Sequence, residues 1–380
     1  MDQPSRILIL SASAGAGHLR AAQAIEQAVC AKSTCDVRHV DALDHTTKMF
    51  RRLYQKAYID LVNQAPQALG LLYDHLDKPW KDERRRLAWD QLNTRPFVEL
   101  IKSYDPVWAI CTHFLPAEIV SWLKARRRLR ARLAVVVTDF DVHGMWLYRH
   151  VDRYFVALEE TRVHLARLGI PAERITVSGI PIDPRFAEPF DKRALRRKHG
   201  LEPDRTTILI AAGGFGVGPV ELIVSSMRQL THRAQVVVIC GRSADLRRRV
   251  DKVATVPGGN VTIKVIGFTS EMHELMAAAD LLVGKPGGLT TSEALAQGLA
   301  LVVINPIPGQ EERNADHLLE QGAAIRCNNL PVIAWKIDRL LDDPARLSTM
   351  QEAARRLGRP VAASEIADAL LPAGSRAATD

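Results

Sequence analysis

Three times in this chain a short apolar run ends in glycines: "RILILSASAGAGH" at 6–18, "TILIAAGGFG" at 207–216 and "LLVGKPGG" at 281–288. A strand-sized run that passes through glycines into a helical stretch is the β–loop–α step of a parallel sheet. The glycines let the backbone turn tightly and bring its N–H groups close to an anion at the helix start. The steps recur on both sides of a break. Strands are predicted at residues 6–13, 37–43, 107–111, 133–138, 153–156 and 174–178. Further strands are predicted in 207–212, 234–240, 261–268, 281–284 and 299–304. Residues 18–32 read as a helix with Ile25, Ala28 and Val29 on one face. Between the halves lie Pro181, Pro184, Pro189 and Pro203, a linker signature. The expectation is an α/β protein of two Rossmann-like domains facing a central cleft. The first spans 1–185 and the second 186–358. The helix and tail of 359–380 are expected to pack back toward the first. A long helical region, 46–89, interrupts the alternation.

Composition narrows the classes. The chain has 380 residues, ample for two cores, and no apolar run approaching the roughly 18 residues of a membrane span. Its start, "MDQPSR", leads straight into a strand, so no signal peptide is expected. Cys30, Cys35, Cys111, Cys240 and Cys327 form no C-x-x-C pair, which points to free thiols in a reducing, cytoplasmic compartment. The net charge is +8, from 51 basic and 43 acidic residues, and favours an acidic partner. It is concentrated at Lys124, Arg126, Arg127, Arg128, Arg130 and Arg132, with a second basic spot at 81–86. Such a run is either a solvated helix face or a docking surface for anionic lipid. Nucleic acid is disfavoured, because no aromatic-plus-basic strand or recognition helix accompanies it.

The glycine loops exclude some ligands. There is no G-x-x-x-x-G-K-[ST]. Arg20 stands where the third glycine of G-x-G-x-x-G would be, so a nicotinamide cofactor is disfavoured. In "GKPGGLTTSEALAQG", Gly284–Gly288 opens a helix near Leu289–Thr291 and Lys285 offers a point charge to a phosphate. Glu293 could accept both hydroxyls of a ribose, or only complement the helix dipole, worth about 0.3–1 kcal/mol. In "NPIPGQEERNADHL", Gln310, Glu311, Glu312 and Asn314 suit sugar hydroxyls or an ordinary polar helix start.

Taken together, "SASAGAGHLRAA", "CTHF" (111–114), "VTDFDVHGMW" (137–146), "SGIPIDPRF", "GGFGVGP", "GFTSEM", "GKPGGLTTSEALA" and "PIPGQEERNA" resemble, in order and over nearly the full length, the monogalactosyldiacylglycerol synthase and processive diacylglycerol glucosyltransferase family. The resemblance implies a GT-B fold, a UDP-galactose or UDP-glucose donor and a lipid acceptor at the inner face of the cell membrane. It places the donor in the second half. Phe268 and Thr269 resemble the uracil-contacting segment. Glu293 resembles the ribose carboxylate. Gly213, Gly214, Phe215, Gly216, Gly287, Gly288, Leu289 and Thr290 resemble the diphosphate loops. Gln310, Glu311 and Asn314 resemble the residues that hold the sugar.

The first half should then carry acceptor and base. An inverting transfer needs a group to take the proton of the attacking hydroxyl. His18, after Gly17 at a strand-to-helix turn, suits that role near pH 7, although a lone histidine can also be structural. His113, Asp139, His143 and Trp146 form the neighbouring polar cluster, with Asp139 the rival base or the partner of His18. Asp139-Phe140-Asp141 also reads D-x-D, a metal signature. Loop amides, helix N-termini and Lys285 can stabilise a leaving diphosphate instead, so no metal and no cofactor are expected. Two rivals remain: a UDP-sugar 2-epimerase-like isomerase of the same fold, and a non-catalytic UDP-sugar-binding protein.

Overall fold

The computed structural model describes residues 5–13, 15–52, 70, 71, 73, 75, 77, 94–211, 219–255 and 259–371. Most of the predicted 46–89 insertion, the second basic spot at 81–86, and Gly213, Gly214, Phe215 and Gly216 lie outside them. The chain divides into two compact units. One comprises Met1–Pro184, Pro308–Gln310 and Arg359–Asp380; the other comprises Arg185–Ile307 and Glu311–Gly358.

The first unit is built on a parallel six-stranded sheet. Its strands are β1 (Arg6–Ser11), β2 (Asp36–Asp41), β3 (Trp108–Cys111), β4 (Arg132–Val136), β5 (Arg153–Val156) and β6 (Ile175–Val177), in the order β2-β1-β3-β4-β5-β6. Ile7, Leu8, Ile9 and Leu10 are all buried. A strand buried on both faces reads as a continuous apolar run rather than an alternation, which is why helices must cover both sides. Helix Ala16–Lys32 covers one face, burying Ala21, Ala22, Ala24, Ile25, Ala28 and Val29. Helix Ala362–Leu370 packs beside it, with Ile366 and Leu370 in the same core as Ile25 and Lys32 paired to Asp368. Helix Phe114–Ala125 lies in the core of the other face, with Leu115, Val120 and Leu123.

In this sheet β1, β2 and β4 each end two residues earlier than predicted. β2 stops at Asp41, whose carboxylate accepts the Leu43 N–H (3.0 Å) and starts a 3-10 turn over Ala42–His45. β4 stops at Val136, which leaves Thr138 outside the ladder with its hydroxyl turned to a histidine.

The second unit repeats the plan with β7 (Thr206–Ala211), β8 (Ala234–Ile239), β9 (Val261–Ile266), β10 (Leu281–Gly284), β11 (Ala300–Ile304) and β12 (Ala324–Cys327). All are parallel, in the order β12-β11-β10-β7-β8-β9. The four-residue β12 has no sequence signal strong enough to announce it. Helix Lys192–Lys198 is tied to this sheet by Asp280, which accepts from Arg196 (2.6 Å), Lys192 (3.0 Å) and the Thr207 N–H (2.8 Å). Arg196 is buried, so the carboxylate compensates a charge that water cannot reach. At the end of helix Gly288–Ala296 the backbone turns through Gly298 at φ +64°. A Cβ there would also sit 2.5 Å from Arg355 Cγ, so both conformation and space require glycine.

Candidate functional site

A parallel sheet aligns the carboxyl ends of its strands on one edge. In each unit the order reverses at a neighbouring pair, β1/β3 in the first and β7/β10 in the second. Open α/β sheets bind ligands at that switch point.

In the first unit the switch point holds His18. Gly15 caps helix Ala16–Lys32 in an extended conformation, so His18 falls in the first turn, above the end of β1. Its Nδ1 lies 2.8 Å from the Thr112 carbonyl and 3.0 Å from Thr138 Oγ1. Thr112 Oγ1 in turn donates to the His18 carbonyl at 2.9 Å. A carbonyl oxygen only accepts, so Nδ1 carries the proton and Nε2 keeps its lone pair. Thr112 follows β3 and Thr138 follows β4. Three adjacent strand ends therefore fix one imidazole.

The surroundings keep that imidazole neutral. Desolvation lowers the His18 pKa to about 4, against a smaller upward effect of the Thr112 carbonyl. His113 packs edge-to-face on it, ring centroids 4.6 Å apart, and Trp146 lies 6.3 Å away. His113 itself is held well below the ordinary histidine range by burial and then by proximity to His18. Its Nδ1 accepts the Leu115 N–H at 3.0 Å and caps helix Phe114–Ala125. His143 likewise accepts the Met145 N–H at Nδ1 (3.1 Å) and donates from Nε2 to the Tyr73 carbonyl (2.8 Å). His113 and His143 thus serve as caps, whereas His18 presents Nε2.

Asp139 is buried and accepts from Gln310 Nε2 at 2.6 Å, within the segment Pro308–Gln310 that belongs to the first unit. Asp141 accepts the Val142 N–H at 2.8 Å. The two acids of the D-x-D therefore hold separate protein partners. Thr112 and Thr138 were missed by sequence reasoning, since a threonine beside a strand end is common and nothing in "CTHF" or "VTDF" marks its hydroxyl.

In the second unit, Gly287 caps helix Gly288–Ala296 with an extended backbone, directly after β10. Lys285 is half-buried in that loop and Thr290 half-buried in the first turn, while Gly288 and Leu289 are buried. Glu293 is buried in the second turn. The loop after β11 lies against it. A Cβ on Gly287 would sit 3.6 Å from Glu311 Oε1, Glu311 Oε2 accepts the Ile307 N–H (2.7 Å), and Asn314 Nδ2 donates to the Pro286 carbonyl (3.0 Å). After β9, Phe268 is 63% exposed with the Arg242 guanidinium 4.8 Å over its ring, and Thr269 Oγ1 accepts the Glu271 N–H at 3.0 Å. A bare aromatic face backed by a guanidinium is a stacking platform for a planar ring.

Of the basic run, Arg126, Arg127, Arg128, Arg130 and Arg132 are exposed. Lys124 is not available in the same way: it pairs with Asp152 at 2.6 Å and donates to the Ala131 carbonyl at 2.8 Å. No helix among the described residues is long and apolar enough to cross a membrane. Among the described residues, one histidine–carboxylate cluster has metal-ligand spacing, His199–Glu271–Glu274, and Lys198 Nζ already sits 2.7 Å from both Glu274 oxygens.

The family model of monogalactosyldiacylglycerol (MGDG) synthase matches residues 18–182, and that of glycosyl transferases group 1 matches 191–357. A processive diacylglycerol beta-glucosyltransferase of Bacillus mycoides (strain KBAB4) is 30% identical over 372 residues, covering 98% of this chain and 94% of that one. The chain belongs to the diacylglycerol glycosyltransferase family. Among solved structures, MurG of Acinetobacter baumannii is 17% identical with a TM-score of 0.65, over 97% of this chain and 99% of that one. The UDP-GlcNAc 2-epimerase from Neisseria meningitidis bound to UDP-GlcNAc is 13% identical with a TM-score of 0.60, over 96% and 99%. Both likenesses concern the fold, which is GT-B for this family member. Because a UDP-GlcNAc 2-epimerase shares it, the fold does not separate isomerase from transferase chemistry. The full-length sequence relatives and the MGDG synthase model do.

Proposed function

We propose that this family member transfers a hexose, glucose foremost, from its UDP conjugate to the free hydroxyl of a diacylglycerol-type lipid, inverting the anomeric centre. The observation that carries the reading is His18. It is a neutral imidazole whose Nδ1 is bonded to the Thr112 carbonyl, so that Nε2 is the proton acceptor, at the switch point of the first sheet.

The acceptor hydroxyl attacks the anomeric carbon, and its proton passes to His18 Nε2. The bond from that carbon to the diphosphate oxygen breaks, and UDP departs with the electron pair. His18 then returns the proton to solvent. Thr112 and Thr138 orient the ring, and Asp139 is a positioning carboxylate. In the second unit the N-terminus of helix Gly288–Ala296, with Gly287, Gly288, Leu289, Thr290 and Lys285, receives the diphosphate. Glu293 takes the ribose hydroxyls, Phe268 and Thr269 the uracil, and Gln310, Glu311 and Asn314 the sugar. No metal is required, a reading supported by the separate hydrogen bonds of Asp139 and Asp141.

Glucose is favoured over galactose by the names of the full-length relatives. The exposed arginines 126, 127, 128, 130 and 132 support a peripheral position on an anionic inner membrane face, at about 1 kcal/mol for each one near the surface. The deciding assay incubates the folded protein with UDP-glucose or UDP-galactose and diacylglycerol vesicles. Glycolipid and UDP should appear together. UDP release with neither donor, or a 2-epimerised nucleotide sugar formed without lipid, contradicts the proposal.

A further inference from the structure

The His18 ring is held by Thr112 and Thr138, which follow β3 and β4, but the backbone that delivers it comes from β1. Gly15 gives that backbone little hold where it enters helix Ala16–Lys32. As the N-cap it makes no side-chain capping bond, and a Cβ added to it would meet nothing within 4 Å. Where the loop starts, as it leaves the sheet, then bears directly on where His18 comes to rest.

The neighbouring strand β2 grips that start. Its ladder with β1 runs from Arg6 opposite Asp36 to Ser11 opposite Asp41. Beyond this last rung the Asp41 side chain continues the pairing. Its Oδ1 accepts the Ser13 N–H at 3.1 Å and the Leu43 N–H at 3.0 Å. One carboxylate oxygen so joins the loop that leaves β1 for His18 to the turn that leaves β2. Two residues back, Ser11 Oγ lies 2.8 Å from His39 Nε2. His39 Nδ1 in turn lies 3.8 Å from Glu26 Oε2, on the helix that carries His18. Residues two apart on a strand share a face, so His39 and Asp41 leave β2 on one side. Ser11 leaves β1 on the side of Ile9, which shares a core with Ile25 of the same helix.

The sheet order β2-β1-β3-β4 gives this contact its meaning. From β3 and β4 come the groups on the His18 ring; from β2, on the other side of β1, comes the oxygen on the loop before it. Both groups that Asp41 holds are main-chain N–H groups, which every residue but proline presents. Specificity therefore resides in the acceptor, which needs an oxygen on a stem long enough to cross to Ser13. Transfer requires Nε2 within hydrogen-bond reach of the attacking hydroxyl, and a misplacement of about 1 Å can cost about 10²-fold in rate.

We propose that Asp41 is a positioning residue for the transfer. Its carboxylate oxygen anchors the start of the loop after β1 and, through it, the place and tautomer of the His18 ring, with the Ser11–His39 pair as a second tie. This rests on the reading of His18 as the base.

Three variants test it. Asp41→Asn keeps an oxygen at the same reach. Asp41→Ser keeps an acceptor for the local Leu43 N–H, as serine does in such turns, but sets its oxygen one bond further from Ser13. Ser11→Ala removes the second tie alone. Turnover of UDP-glucose with diacylglycerol vesicles and nitrogen-15 NMR of the His18 ring are measured on each, with thermal midpoints and UDP affinity alongside. In Asp41→Ser, kcat should fall about tenfold or more while donor KM and UDP affinity stay within about twofold of the parent. Its His18 ring should be protonated at Nε2 in part of the population, because an imidazole that loses the Thr112 carbonyl takes either tautomer. Asp41→Asn should restore the parental rate and ring, and Ser11→Ala should show the same changes in smaller degree. A folded Asp41→Ser with parental kcat, or one whose kcat is lost while the ring stays protonated at Nδ1 alone, overturns the proposal. Should Asp41→Ser not fold, a parental rate and ring in Ser11→Ala overturn it. The ring is read without substrate, so a parent that transfers no hexose counts against the transferase reading, and the ring of the variants still decides the role of Asp41.

Discussion

The carboxyl edges of the two sheets are built from the same topology and hold opposite kinds of chemistry. At β1, β3 and β4 three strand ends converge on one imidazole, whose tautomer is set by a carbonyl and whose charge is suppressed by burial. At β9, β10 and β11 the strand ends offer a helix N-terminus, a lysine, amides and carboxylates, and a bare aromatic ring. One edge suits moving a proton; the other suits holding a nucleotide and a sugar. A parallel sheet supplies the positions, and the short loops after each strand supply the chemistry.

The largest effect should come from removing the imidazole. A His18→Ala variant is expected to lose about 10³-fold in kcat, within the 10²–10⁴ range of general-base catalysis, while its UDP affinity stays within about twofold. Asp139→Asn should lose less; a larger loss there would make Asp139 the base. Glu293→Ala should do the reverse of His18→Ala, weakening UDP binding about 10- to 100-fold in calorimetry, as expected for hydrogen bonds to a charged group worth about 1.5–3 kcal/mol. Loss of turnover at saturating donor with unchanged UDP affinity would break the division between the edges. Thr138→Val should lower kcat by about three- to tenfold without altering donor KM, because it removes one neutral hydrogen bond to the ring. Chelation is expected to have no effect. Rates in EDTA that fall and recover with added divalent cation would return the D-x-D to a metal role.

The pH dependence of stability sharpens the same contrast. The folded pKa values of His18 and His113 lie below their unfolded values, so between them the unfolded chain binds more protons. This contribution to stability is complete above about 6.5 and declines as pH falls toward 4 for His18. Unfolding midpoints measured across that window should fall less for a His18→Phe variant. An equal slope in both proteins would show that His18 is not desolvated.

Much of the fold was legible because parallel strands buried on both faces write themselves as unbroken apolar runs, such as "ILIL" and "VVVI". Strand ends were less legible. Asp41, the last residue of β2, and Thr138, beyond the end of β4, make side-chain hydrogen bonds that no period announces, and β12 is too short to stand out. The site shows the same division. His18 stood out by its glycines, whereas the residues that set its tautomer are a main-chain carbonyl at Thr112 and a hydroxyl at Thr138. A backbone carbonyl carries no sequence identity, and the proximity of positions 18, 112 and 138 exists only once β1, β3 and β4 are side by side. Lys124 shows the converse: charge in a basic run reads as surface, and only the fold reveals Asp152 beside it.

The central claim is that His18 stands ready as a neutral base with its lone pair on Nε2. Nitrogen-15 NMR of the histidine rings, followed from pH 8 to pH 5, tests it most directly. The account predicts a His18 ring protonated at Nδ1 and bare at Nε2 throughout, with imidazolium appearing only as the pH approaches about 4. A ring protonated at Nε2 at pH 7, or an imidazolium already formed at pH 6, would contradict it.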